Sequence, residues 1–108
     1  MKNITVTELK QKIDNGEDVR LIDVREPYEF AEANLGGRLV PLGKVTSMQV
    51  EELEDWKEVP VVVLCRAGRR SAMACQVLDQ LGFKETYNIE GGLLAWVDKF
   101  GNEGLQHR

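Results

Sequence analysis

The chain has one histidine, two cysteines, three prolines and only 6% aromatic residues among its 108. Each scarcity removes a class of chemistry. The histidine is His107, next to the end, so an imidazole partner for a catalytic thiol is in practice excluded. No paired Cys/His spacing suggests zinc, and neither a metal nor an organic cofactor is expected. The start, Met1-Lys2-Asn3-Ile4, lacks the apolar stretch of a signal peptide, so residence in the cytoplasm, with free thiols, is the expectation. Apolar runs such as Val61–Cys65 are far too short to span a membrane. A net charge of -4 leaves no basic excess for nucleic acid. Repeats, low-complexity segments and linkers are missing as well.

What remains is an ordinary globular composition, 43% apolar and 30% charged. The length suits one domain spanning residues 1–108, with a core over about 3–100 and a short polar C-terminal tail. Strand-like segments at Asn3–Val6, Val19–Val24, Arg38–Pro41, Val61–Leu64 and Thr86–Ile89 alternate with helical ones. Helices are expected over Glu8–Asp14 with Thr7 as cap, from Pro27 to about Ala33, over Ser47–Asp55, over Ser71–Leu81 and over Leu93–Phe100. Gly82 followed by Phe83 reads as a glycine stop for the fourth. Val61–Leu64 shows no alternation, as expected of a strand buried on both faces. This pattern predicts an α/β fold, a mostly parallel sheet of about five strands with helices on both faces. Ligands in such sheets collect at the carboxyl ends of strands, where Cys65, Asp23 with Arg25, and Gly91-Gly92 all fall.

The segment richest in chemistry is Pro60-Val61-Val62-Val63-Leu64-Cys65-Arg66-Ala67-Gly68-Arg69-Arg70-Ser71. An apolar strand ends on a cysteine, a glycine- and arginine-rich loop follows, and a helix begins. Gly68 permits positive φ, so successive N–H groups can converge on one point. Those amides and the helix N-terminus favour thiolate over thiol. Arg66 and Arg69 raise the local potential, while the planar fork of Arg70 can meet an oxyanion or be tied to a neighbouring carboxylate.

These residues resemble the rhodanese-like sulfurtransferase family. The likeness rests on Leu21-Ile22-Asp23-Val24-Arg25-Glu26-Pro27 with Tyr28-Glu29-Phe30, on Cys65 through Ser71, and on Gly91-Gly92 with Leu93 and Trp96. It covers about Asn3–Phe100. The resemblance implies that Cys65 takes a sulfane sulfur from thiosulfate or a similar small anion, holds it as a persulfide, and passes it to cyanide, a thiol or a protein acceptor. Arg66, Ala67, Gly68, Arg69, Arg70 and Ser71 would bind substrate. The family's sulfurtransferases have a six-residue loop counted from the cysteine, whereas phosphatase-like relatives end one residue later as Cys-x5-Arg. Here the residue after five intervening positions is Ser71, and Arg70 comes one earlier, which favours sulfur over phosphate. Where many relatives carry Gly-His-Ile-Pro-Gly-Ala, this chain has Ala33-Asn34-Leu35-Gly36-Gly37-Arg38, a segment that shapes a turn rather than performing chemistry.

Two other functions stay open: a persulfide carrier or regulatory module that docks on a partner, and a Cys-dependent phosphatase or arsenate reductase. Bland roles compete at single residues too. Cys75 is read as packing, against the alternative of a resolving thiol for Cys65. Asp23 and Arg25 are read as an ion pair fixing a strand end, against a contribution of Arg25 to the site's potential. Trp96 and Phe100 read as core, the acidic run Glu51–Asp55 as a solvated face, and Arg66, on the bland reading, as no more than an exposed charge.

Overall fold

The computed structural model describes residues 1–107. Strands β1 (Lys2–Ile4), β2 (Leu21–Asp23), β4 (Arg38–Leu39), β5 (Pro60–Leu64) and β6 (Glu85–Ile89) form one sheet. Its order is β1-β6-β5-β2-β4, and each neighbouring pair is parallel. The central strand β5 is buried from Val61 to Leu64, as its unbroken apolar run predicts.

Strand pleating divides the core in two. On one face Ile22, Val61, Val63 and Cys65 pack against α3 (Leu42–Thr46), a 3-10 helix (Glu51–Trp56) and α4 (Arg69–Gln80), through Val45, Leu53, Ala74, Cys75 and Leu78. On the other, Ile4, Leu21, Val62, Leu64 and Ile89 pack against Leu9 of α1 (Val6–Asp14) and Leu93 and Trp96 of α5 (Gly92–Phe100). Trp96 also meets Phe100 edge to face at 4.9 Å between ring centroids, a core pair. The remaining helix, α2 (Pro27–Glu32), opens on Pro27 and leads into a short strand, β3 (Ala33–Asn34). No helix among the described residues is long and apolar enough to cross a membrane.

Local chemistry moves several boundaries from their expected places. Helix α1 starts earlier than Glu8, because Thr5 and Glu8 form a reciprocal capping box: the Thr5 hydroxyl accepts from the Glu8 N–H at 3.1 Å and Glu8 accepts from the Thr5 N–H at 2.9 Å. Thr5, not Thr7, is the cap. Of the helix expected over Ser47–Asp55 only a 3-10 helix forms, from Glu51, while α3 lies wholly ahead of that stretch at Leu42–Thr46. Between them Met48 takes φ +62°, and the N–H groups of Met48 and Gln49 donate to the Val45 and Lys44 carbonyls, a Schellman stop built without glycine. The same motif ends α4 as expected: Gly82 lies at φ +94° and Phe83 N–H donates to Leu78 O at 3.0 Å. The tail is not merely polar and solvated. Leu105 packs on the core, Trp96 Nε1 donates to Glu103 O at 2.8 Å, and β7 (Gln106–His107) pairs antiparallel with β3.

The capping geometry gives a direct comparison of two threonines. Thr5→Ala should lower unfolding free energy by about 1 kcal/mol, whereas Thr7→Ala should stay within about 0.5 kcal/mol of the parent. Urea denaturation of both variants checks this, and the reverse ranking contradicts the assignment of the cap.

Candidate active site

The chain leaves β5 at Leu64 and turns at once into the loop that opens α4. Gly68 is the N-cap of α4, with φ +102°, a left-handed conformation that a side chain would strain. This turn aims the Gly68 N–H at Cys65 Sγ, 2.9 Å away, and the Ser71 hydroxyl lies 3.3 Å from the same sulfur. Burial alone pushes the Cys65 thiol up. The Ser71 hydroxyl and the N–H groups of Ser71, Gly68 and Ala67 act against burial, and together they bring the thiol below its ordinary value. Cys65 is only 1% exposed and Ser71 is fully buried, while Arg66, Ala67 and Arg69 stand out in solvent. The sulfur therefore sits at the floor of a shallow amide cradle with basic side chains at its rim.

Two neighbouring strand ends hold the cradle, as the doubly covered parallel sheet predicts. From the end of β6, Gly91-Gly92 starts α5, and the N–H groups of Leu93 and Leu94 donate to the Cys65 and Arg66 carbonyls at 2.9 and 3.0 Å. A Cβ on Gly92 would lie 2.5 Å from the Cys65 carbonyl oxygen, so only glycine allows this approach. From the end of β2, the Val24 N–H donates to Leu64 O at 2.9 Å. Asp23 and Arg25 form a buried ion pair at 2.8 Å, with Arg25 also donating to the Ala33 carbonyl at 2.9 Å. That is the strand-fixing pair expected. The Arg25 guanidinium is 4% exposed and engaged on several sides, which leaves little of its charge to act on the site.

Arg70 departs from the reading that aims its fork at a bound anion. Both of its terminal nitrogens donate to Glu29 on α2, at 2.8 and 3.0 Å, 41 residues away in sequence. The tether to a carboxylate, the second reading of this residue, is the one observed. The Arg70 pair draws the Glu29 carboxyl down to about 2, against the opposing pull of burial, with help from the Glu26 N–H. Glu29 and Asn88 are the site residues that sequence reading assigned no role. Glu29 lies inside a quoted motif, but its partner is remote. Asn88 offers one local clue: with Thr86 it is a polar residue at alternate positions of a buried strand, and its Oδ1 accepts from the Ser71 hydroxyl at 2.5 Å.

Cys75 is buried in the same core cluster as Cys65, and burial pushes its thiol up to about 11. That environment fits packing and disfavours a reactive thiolate. Asn34 holds a turn: its amide donates to Phe30 O at 2.9 Å and accepts from the Gly36 N–H at 2.8 Å. Beside the cradle a groove runs between α2 and α5, floored by Leu93, Leu94 and Val97 and edged by Glu32 and Arg66. No group of three or more metal-ligating side chains occurs among the described residues.

Comparison with known proteins agrees with this geometry. The family model of the rhodanese-like domain matches residues 5–99. YtwF of Bacillus subtilis (strain 168), provisionally named a sulfurtransferase, is 41% identical over 97 residues, covering 89% of this chain and 90% of that protein. YrkF of the same organism, provisionally named a sulfur carrier protein, is 35% identical over 97 residues; the match covers 89% of this chain but about half, 51%, of YrkF. The crystal structure of a rhodanese-like domain protein from Staphylococcus aureus superposes with a TM-score of 0.84 at 31% identity, covering 100% of this chain and 99% of that one.

The Glu29–Arg70 pair makes a pH-dependent contribution of definite sign. A carboxyl depressed from 4.5 to about 2 adds stability above its ordinary value, and that stability is lost as pH falls through about 2. Glu29→Gln should therefore be less stable than the parent near neutral pH, by on the order of 1–3 kcal/mol once solvent screening at the partly exposed Arg70 is allowed for. The gap should close toward pH ~2. Urea denaturation across that range checks it, and a gap independent of pH contradicts it.

Proposed function

Because the chain belongs to the rhodanese-like domain family, we propose that it is a sulfurtransferase in which Cys65 carries the sulfur. The observation that carries this reading is the Cys65 sulfur at the focus of the Gly68 amide and the Ser71 hydroxyl, at 2.9 and 3.3 Å. Such a cradle stabilises negative charge on sulfur without any imidazole. The Cys65 thiolate attacks the outer sulfur of thiosulfate or a related small anionic donor. A bond forms between Sγ and that sulfur, and the donor's sulfur–sulfur bond breaks with its electron pair leaving on sulfite. The persulfide that results carries the thiolate's charge one atom further out. A cyanide or thiolate acceptor then attacks the outer sulfur, and Cys65 leaves as thiolate. This is a ping-pong cycle needing no cofactor.

The loop residues divide the work. The amides of Ala67, Gly68 and Ser71 face the sulfur and stabilise thiolate and persulfide. Arg66 and Arg69, exposed at the rim, attract the anionic donor. Arg70 is held on Glu29, so it ties the loop to α2 rather than gripping the leaving group. Asp23 and Arg25 support the cradle from the neighbouring strand end. The groove floored by Leu93, Leu94 and Val97 offers an acceptor a path to the site. A cytoplasmic setting suits the reaction, because reducing conditions keep Cys65 free.

Phosphatase or arsenate reductase chemistry is less well supported. It calls for an arginine fork free to meet a tetrahedral dianion, and here the fork lies on Glu29. The carrier reading keeps one observation in its favour, the relative named as a sulfur carrier. Turnover separates it from catalysis: with excess thiosulfate and cyanide an enzyme reloads and gives many thiocyanates per Cys65, and a carrier that thiosulfate does not reload stops at the one sulfur it holds.

Cys65→Ser should lose thiocyanate formation from thiosulfate and cyanide down to the uncatalysed background, since a hydroxyl cannot hold a persulfide. Colorimetric thiocyanate assay of parent and variant checks this. Turnover retained by the variant removes Cys65 from the mechanism.

A further inference from the structure

The Ser71 hydroxyl has one hydrogen and two neighbours that want it. Asn88 Oδ1 lies 2.5 Å from Ser71 Oγ, and Cys65 Sγ lies 3.3 Å from it. Asn88 Oδ1 only accepts, so in this arrangement the hydrogen goes to Asn88. A Cys65 thiol is satisfied, because its own S–H can donate back to Ser71 Oγ. A Cys65 thiolate has no hydrogen to give and needs the one that Asn88 is holding.

The side-chain amide of Asn88 can resolve this conflict. Its two ends are nearly the same size and opposite in hydrogen-bonding sense. With Nδ2 turned toward Ser71, the amide donates to Oγ, and the Ser71 hydrogen is released to the sulfur. We propose that Asn88 is a positioning residue: by turning its amide, it aims the single Ser71 hydrogen at the Cys65 sulfur whenever that sulfur is negatively charged. No proton is transferred along the chain of contacts. The thiol proton leaves to solvent, and the relay only redirects hydrogen bonds.

The setting suits such a relay. Asn88 pairs in register with Val63, two residues before Cys65, and lies beside the end of the central strand. It is 7% exposed and Ser71 is fully buried, so the pair meets little solvent. Thr86, two residues earlier on the same face, makes the contrasting contact. Its hydroxyl donates to the Asp79 carboxylate at 2.7 Å, an acceptor with no donor end to turn. That contact is fixed, and the Asn88 contact is reversible. The other titratable groups that sense Cys65 are Arg70 and Cys75, both on α4. Neither is hydrogen-bonded to the Ser71 hydroxyl, whose partners are Cys65 and Asn88.

This role matters for turnover only if Cys65 is the nucleophile proposed above, but the relay itself is read from ionisation alone. The measurement is the absorbance titration of the Cys65 thiolate in the full chain, with Cys75 ionising separately near 11. Asn88→Asp keeps the shape of the side chain but leaves an acceptor only. It should raise the Cys65 pKa by roughly one unit, about a tenfold shift in the thiol-to-thiolate ratio. With Ser71→Ala also present, the Asp substitution should shift the ratio by no more than about threefold, because no hydroxyl is left to misdirect. Equal shifts with and without Ser71 reduce the effect to plain charge and overturn the proposal, as does the absence of a shift. Should Asn88→Asp fail to fold, Asn88→Leu carries the same comparison. The effect of Ser71→Ala must then differ between the native and Asn88→Leu backgrounds, and equal effects overturn the relay. A normal coupling in a protein that transfers no sulfur would leave the relay standing and count against the sulfurtransferase reading alone.

Discussion

The Gly68 N–H aimed at the Cys65 sulfur, at 2.9 Å, is the contact on which the rest of the site depends. It exists only because Gly68 turns left-handed at the start of α4. That turn is held from behind by two α5 amides on the Cys65 and Arg66 carbonyls, which requires Gly92 to lack a side chain. The strand that delivers Cys65 is in turn fixed to β2 through the Val24 amide. Three strand ends thus converge to orient one backbone dipole. Both sheet faces are covered by helices, so this end of the sheet is where the backbone can meet a ligand.

The charge distribution has an unexpected economy. Of the basic groups around the cradle, Arg25 is held by Asp23 and Arg70 by Glu29. The stabilisation of negative sulfur therefore falls mainly to backbone amides, which are fixed in place before any reaction, and to one hydroxyl, whose single hydrogen is shared with Asn88. Amides do not titrate, and in the proposed cycle they do not have to be reorganised as charge moves from thiolate to persulfide. The exposed charges, Arg66 and Arg69, lie at the rim, and their proposed part is the attraction of an anion rather than the chemistry. Cys75 shows what the same residue type becomes in the nearby core without such amides: a buried thiol held near 11.

Local signals made much of this legible in the sequence. The unbroken run Val61–Leu64 marked the central strand, Gly82-Phe83 marked the end of α4, and Asp23 with Arg25, two residues apart, suggested their own pairing. The misreadings share a cause, in that the deciding partner was remote or the residue type gave no cue. A left-handed Met48 stops α3 and leaves the first residues of the expected acidic helix outside any helix, where a glycine would have announced the stop. The tail folds back onto β3, more than half the chain away, and Glu29 reaches Arg70, 41 residues on. Thr7 looked like a cap until Glu8 placed the capping box on Thr5.

The claim at the centre of this account is that the cradled Cys65 sulfur accepts another sulfur atom. Intact-mass spectrometry after thiosulfate treatment, followed by peptide mapping, tests it most directly. The account predicts a gain of one sulfur atom, confined to the Cys65 peptide and removed by a thiol reductant. An unmodified Cys65, or an added sulfur on Cys75 instead, would contradict it.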